Sequence, residues 1–341
     1  PFLLGCRADL GAKDGRRDTA LIRAARRGLG RVAQALLECS AASASAGQSA
    51  LDLTAANGEV QTALHQAALA GLPLVCREVI RQAGHTGVAD VRDVFFLTPA
   101  HYAAMRGHCA VLRELEVAAD LGVLAEPCDD DGATALHYAA EAGDLQTCEL
   151  LLRLEGFGGV DRLDSAGRTA LHVAASHGHA AICEALLAHE GMVREDEADG
   201  RGCTPLHLAA GAGHDAVGAL LARRLRARVA GARRAISGET ALHAAICKGL
   251  LRTIAVFLER GGAPALQERG LDGMMPLHYA AVAGHVAVIR ALLDARADVD
   301  ATDAYGRRPA QLVSRGAMRA ALQALLEDAD EDVRPGGSQT K

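Results

Sequence analysis

The chain has no Trp, and Phe, Tyr and Trp together make up only 3% of its 341 residues. A sandwich of aromatic-rich strands is therefore excluded, and so is a deep jigsaw core. Basic charge in excess is also missing: Lys+Arg 36 against Asp+Glu 42 gives −6, so no global field draws the chain to nucleic acid or an anionic membrane. No apolar run approaches the roughly 18 residues of a membrane span. The nine cysteines are scattered, with no C-x-x-C pair. Such usage fits free thiols in a reducing intracellular compartment, cytoplasmic or nuclear, better than a disulfide framework. Disorder is excluded in turn, because 50% of the residues are hydrophobic. That apolar weight sits in small aliphatic side chains, 72 of them Ala, which implies thin layers of closely packed helices.

A phrase recurs along the chain: Thr62-Ala-Leu-His65-Gln-Ala-Ala68, Thr98-Pro-Ala-His101-Tyr-Ala-Ala104, Thr134-Ala-Leu-His137-Tyr-Ala-Ala140 and Thr169-Ala-Leu-His172-Val-Ala-Ala175. It continues at Thr204-Pro-Leu-His207-Leu-Ala-Ala210, Thr240-Ala-Leu-His243-Ala-Ala-Ile246 and Met275-Pro-Leu-His278-Tyr-Ala-Ala281. The steps are 36, 36, 35, 35, 36 and 35 residues, and degenerate copies flank the series at Thr19 and Arg308. Thr is suited to cap a helix, Pro is tolerated in the first turn, and Leu points inward. A Gly follows the phrases from Thr98 onward (Gly107, Gly143, Gly178, Gly213, Gly249, Gly284), a left-handed stop for the first helix. A second helix opens next, with apolar spacing such as Ile182, Leu186 and Leu187, or Val288, Ala291 and Leu292.

These residues resemble the ankyrin repeat, whose usual unit carries a T-P-L-H-x-A phrase. The resemblance covers about residues 1–327 and implies an all-α solenoid: helix-turn-helix pairs joined by β-hairpin fingers, about nine repeats plus one truncated repeat. Residues 1–18 read as the remnant of a preceding repeat and the first finger. Residues 19–327 form the array, with phrases at 19, 49 (truncated), 62, 98, 134, 169, 204, 240, 275 and 308. Residues 328–341 read as an acidic disordered tail. The opening lines up with the end of an outer helix, which suggests a fragment of a longer protein or a degenerate start.

Between repeats lies a turn with Asp and Gly, as at Asp129 and Gly132, Asp164 and Gly167, Asp199 and Gly202, and Asp303 and Gly306. Arg17, Val60 and Phe96 replace that Gly in the early fingers, and Ala235 and Gly270 replace the Asp later. Ser49-Ala-Leu-Asp52-Leu-Thr-Ala-Ala56 is an inner-helix phrase only 13 residues before Thr62 and reads as a repeat without its outer helix.

Chemistry is hard to find. There is no HExxH, no P-loop and no GxSxG elbow. Most of the fourteen histidines belong to the phrase or follow the terminating Gly, and Cys148 and Cys183 read as core residues. No cofactor, metal or catalytic residue is expected. Binding remains, on the concave face where the family holds its partners. Analogy offers Arg26, Arg27, Leu69, Met105, Arg106, Glu141, Ser176, His177, Cys247, Lys248 and Val282 as candidates. The sharpest anomaly is Val94-Phe95-Phe96-Leu97, apolar residues on a finger. Either Phe95, Leu97, Met105 and Leu69 form a contact patch flanked by Arg106, or they fold onto the linker around Leu121–Leu124. A basic run (Arg223, Arg224, Arg226, Arg228, Arg233, Arg234) and an acidic run (Glu190, Glu195, Asp196, Glu197, Asp199) are expected to screen each other rather than bind nucleic acid. The expected function is a non-catalytic scaffold for a protein or peptide. The alternative is the recognition arm of a larger enzyme or membrane protein.

Overall fold

The computed structural model describes residues 9–45, 51–84, 87–116, 131–154, 159–224 and 238–313. Expectations for the first eight residues, Ser49, the linker at Leu121–Leu124, Asp129, Arg226, Arg228, Arg233, Arg234, Ala235 and everything from Ser314 onward fall outside these residues.

The repeat phrase starts short helices, and the glycine after it ends them. In order these are α1 (Ala20–Arg26), α2 (Gly30–Ser45), α3 (Ala63–Leu69), α4 (Pro73–Ala83), α5 (Pro99–Met105), α6 (Cys109–Glu116), α7 (Ala135–Ala142) and α8 (Leu145–Arg153). Then follow α9 (Ala170–His177), α10 (Ala180–Ala188), α11 (Pro205–Ala212), α12 (Asp215–Arg224), α13 (Ala241–Lys248), α14 (Leu251–Leu266), α15 (Pro276–Ala283) and α16 (Val286–Asp294). Short 3-10 turns cover Leu271–Gly273 and Pro309–Gln311.

The chain divides into two units, Pro1–Ala170 with Ala188–Val193, and Leu171–Leu187 with Arg194–Lys341. In the first, inner helices α1, α3, α5 and α7 lie side by side in chain order, and outer helices α2, α4, α6 and α8 form a parallel layer. In the second, α11, α13 and α15 form the inner row and α12, α14 and α16 the outer one. The inner row packs closely because its contacts are Ala pairs: Ala67 and Ala68, Ala103 and Ala104, Ala139 and Ala140 are all fully buried. The outer helices supply bulk, as with Val111, Leu112 and Leu115 on α6 or Val288, Ile289 and Leu292 on α16. Each such side chain contributes about 1.5–3 kcal/mol of burial, and neither helix of a pair could bury its face alone.

The terminating glycines have two duties. All six named above take positive φ, from 68° to 92°. Several also face a histidine or acid of the next repeat. A Cβ on Gly178 would sit 2.5 Å from His214 Nδ1, while His214 Nε2 is held 3.0 Å from the Ser176 carbonyl. The ring cannot swing away without losing that bond. Gly178→Ala is therefore expected to lower unfolding free energy by about 1–3 kcal/mol, read from urea denaturation.

Two expectations need correction. The fingers are tight turns rather than strand hairpins; an isolated bridge, Ala56–Thr62, is the β pairing among the described residues. The phrase at 49 does not make a helix over its described part. α2 runs on to Ser45, and Leu51–Ala56 turns back toward the next finger with Leu51 buried and its N–H donating to Ser40 Oγ at 2.9 Å.

Candidate functional site

The phrase histidines are committed to the scaffold. His65 Nδ1 accepts the Thr62 backbone N–H at 3.1 Å, so it carries no proton, and the Thr62 hydroxyl donates to it at 2.9 Å. Nε2 then holds the proton and donates to the Leu97 carbonyl of the next finger at 3.1 Å. The same pair of bonds recurs at His137 with Thr134 and Arg168, and at His243 with Thr240 and Glu268. Burial lowers the pKa of His65 and His137, and at His101 it pushes the value down to about 3. Cys148 and Cys183 are fully buried, and burial raises the Cys183 thiol to about 12. Among the described residues, no group of three His, Cys, Asp or Glu side chains could hold a metal ion.

Several fingers are closed by one Asx side-chain oxygen, whereas the finger at Gly270 closes through backbone bonds and the Tyr279 hydroxyl. Asp93 Oδ1 accepts the N–H groups of Phe95 at 2.9 Å and Leu97 at 3.0 Å, and Asp164 and Asp303 do likewise in their turns. The residue three places on must then take a left-handed conformation. Glycine does so at Gly167 (φ 74°), Gly202 (φ 76°) and Gly306 (φ 75°). In the first three fingers the same position holds Arg17 (φ 62°), Val60 (φ 61°) and Phe96 (φ 60°). A side chain there costs about 1–2 kcal/mol, and β-branched Val60 is among the least suited to it.

These three tips are held in register. The Arg16 carbonyl accepts the Gly58 N–H at 3.2 Å, and the Glu59 carbonyl accepts the Val94 N–H at 3.2 Å. They carry apolar side chains into solvent: Phe95 is 57% exposed, Phe96 55%, Val94 48% and Val60 44%.

Beside the tips is a groove of about 650 Å³, lined by Arg16 and Glu59 from the fingers and by Arg26, Gln66, Leu69 and Tyr102 from α1, α3 and α5. Its floor is a closed polar network. Tyr102 OH donates to Asp93 Oδ2 at 2.7 Å, and Gln61 Nε2 bonds to the same oxygen at 3.2 Å and to Tyr102 OH at 2.9 Å. Burial, then the Asp93 carboxylate, raises the pKa of the Tyr102 hydroxyl, which keeps it a donor. Asp93 thus ties the floor to the finger that bears Phe95 and Phe96. Arg26 is fixed at the groove edge by Asp18, 2.7 Å away.

Of the residues expected from sequence, Arg26 and Leu69 line this groove, both half-buried. Phe95, Arg27, Arg106 and Glu141 are exposed in the first unit and Met105 is half-buried. His177 and Lys248 are exposed but belong to the second unit. Leu97 is corrected: at 7% exposure it faces inward, because its N–H is tied to Asp93 and its carbonyl to His65. Phe96 and Val94 are exposed on the same finger, Val60 on the finger before it, and Arg16 and Arg17 on the first finger. The signal for them was the loss of glycine at three consecutive finger tips. In the acidic run, Glu197 pairs with Arg194 at 2.6 Å and buried Asp199 closes its own finger.

Among the described residues, no helix is long and apolar enough to cross a membrane. A family model described as ankyrin repeats (3 copies) matches overlapping windows at residues 64–161, 100–194, 156–230, 192–270 and 229–303. Paired helices, histidine-capped inner helices, Asx-closed fingers and these matches together place the chain in the ankyrin-repeat family.

Proposed function

We propose that the chain is a non-catalytic scaffold that captures a protein or peptide on the face made by the fingers and inner helices. Ankyrin repeats are generic protein–protein interaction modules. The observation that carries the reading is the row of exposed apolar side chains on left-handed finger tips, set beside a groove whose polar floor is already satisfied. A surface fixed before binding loses little conformational entropy when a partner arrives. Strain of this kind tends to be kept at working surfaces. Groups suited to chemistry are committed elsewhere, the phrase histidines His65, His137 and His243 to capping and the thiols of Cys148 and Cys183 to the core.

Photo-crosslinking tests this. Benzoylphenylalanine is placed at Phe95, at Val282 on the end of α15, or at Val193, which is 81% exposed and lies on neither finger nor inner helix. Protein adducts at Phe95 or Val282 that are absent at Val193 are expected. Equal adducts at all three positions, or none at the first two, would contradict the reading.

A further inference from the structure

We propose that the first three fingers form a docking site for an acidic peptide segment carrying an apolar side chain. The apolar group seats against Val60, Phe95 and Phe96, and the acidic groups face Arg16, Arg17 and Arg27. The proposal rests on the scaffold reading and specifies the partner.

Charge supplies the first argument. The acids of these fingers are already engaged: Asp14 accepts from Arg16 and Asp18 N–H groups and pairs with Arg23 at 3.2 Å, Asp18 pairs with Arg26, and Asp93 is buried. Exposed Arg16, Arg17 and Arg27 form no ion pair among the described residues, and Lys13 leans on the Ala56 carbonyl at 3.2 Å. Glu59 is the acid left exposed on the second finger. A local basic surplus therefore stands in a chain whose total charge is −6. Guanidinium groups bind carboxylates through paired N–H donors, which gives direction as well as attraction.

Geometry supplies the second. Backbone bonds join Arg16 to Gly58 and Glu59 to Val94, so the tip bearing Arg16 and Arg17 adjoins the tip bearing Val60, which adjoins the tip bearing Phe95 and Phe96. Basic and apolar groups thus form one stripe, matched to a segment that alternates acid and apolar side chains. Of the exposed apolar groups here, Phe95 and Phe96 could stack on bases but Val60 and Val94 could not, so a nucleic acid enters as the competing occupant in the test.

Selection of a random peptide library on the full chain tests the proposal, followed by fluorescence anisotropy with the best selected peptide. Selected peptides should be rich in Asp and Glu around a Leu, Ile, Met or aromatic residue. Phe96→Gly, and Phe95→Ser separately, should weaken binding by about tenfold. Arg16→Ala with Arg17→Gly should weaken it and flatten its salt dependence. Both glycine changes suit the left-handed backbone, so melting temperature should not fall. Peptides without acid enrichment, binding unchanged in the Phe variants, or displacement by oligothymidine at similar concentration would each overturn the site. Crosslinks at Val282 alone would also overturn it, while leaving the scaffold reading intact.

Discussion

Leu136→Ala is expected to lower the free energy of unfolding by about 3 kcal/mol, with loss of the methyl contacts and a residual cavity both contributing. Leu136 is 0% exposed on α7, which packs against α5 and α8. Its own helix presents Ala135, Ala139 and Ala140, which have no bulk to move into the gap. Because repeats touch only their neighbours, the loss should be felt in α5 to α8 before the second unit. Urea denaturation gives the size, and Leu74→Ala on α4 is the control, since Leu74 is 55% exposed and should change stability by less than about 0.5 kcal/mol. A cost at Leu136 below about 1 kcal/mol would mean that the stacked layers do not form the core.

Acid should be the second strong perturbation. Burial lowers the pKa of His65, His101 and His137 in the folded chain, whereas the unfolded chain titrates near 6.5. Below about pH 6.5 the unfolded state therefore binds more protons, and stability falls as pH falls. The stabilisation is complete above the unfolded value and is lost through the window down to the folded one, which for His101 extends to about 3. Each such histidine contributes a slope of up to about 1.4 kcal/mol per pH unit. The carboxylates of Asp14, Glu78, Glu114 and Asp303, whose pKa values are lowered, add to the loss only at lower pH. Urea midpoints at pH 7 and pH 5 isolate the histidines. The native chain should weaken clearly between them. His101→Gln should be less stable at pH 7 and show a shallower decline. A flat profile from pH 7 to pH 5 would show that these imidazoles are not held neutral.

The repeat geometry was legible because local chemistry enforces it. Thr134 and His137 are three residues apart and bond to each other, so spacing alone locates the helix start. The duty of Gly178 against His214 was less visible, since it links residues in successive repeats. The phrase at 49 misled for a similar reason: Leu51 looks like the Leu of an inner helix, but its N–H is taken by Ser40 on a long α2. In the third finger, sequence marked four apolar residues without giving their directions. Those follow from two bonds at Leu97, one to Asp93 and one to His65, which turn it inward and leave Phe95 and Phe96 outside. The network of Gln61, Gln66, Asp93 and Tyr102 joins two successive repeats, so no local pattern announces it.

The central claim is that the first fingers keep strained side chains for the sake of a partner. It predicts opposite signs for one substitution. Phe96→Gly removes an exposed side chain from a residue at φ 60°. Stability and partner binding should be measured on the same preparation, by thermal unfolding and by capture of the protein crosslinked through Phe95. The account predicts a gain of about 1 kcal/mol in stability together with a loss of capture of about tenfold. A lower melting temperature with capture unchanged would contradict it, since Phe96 would then serve the fold and not a partner.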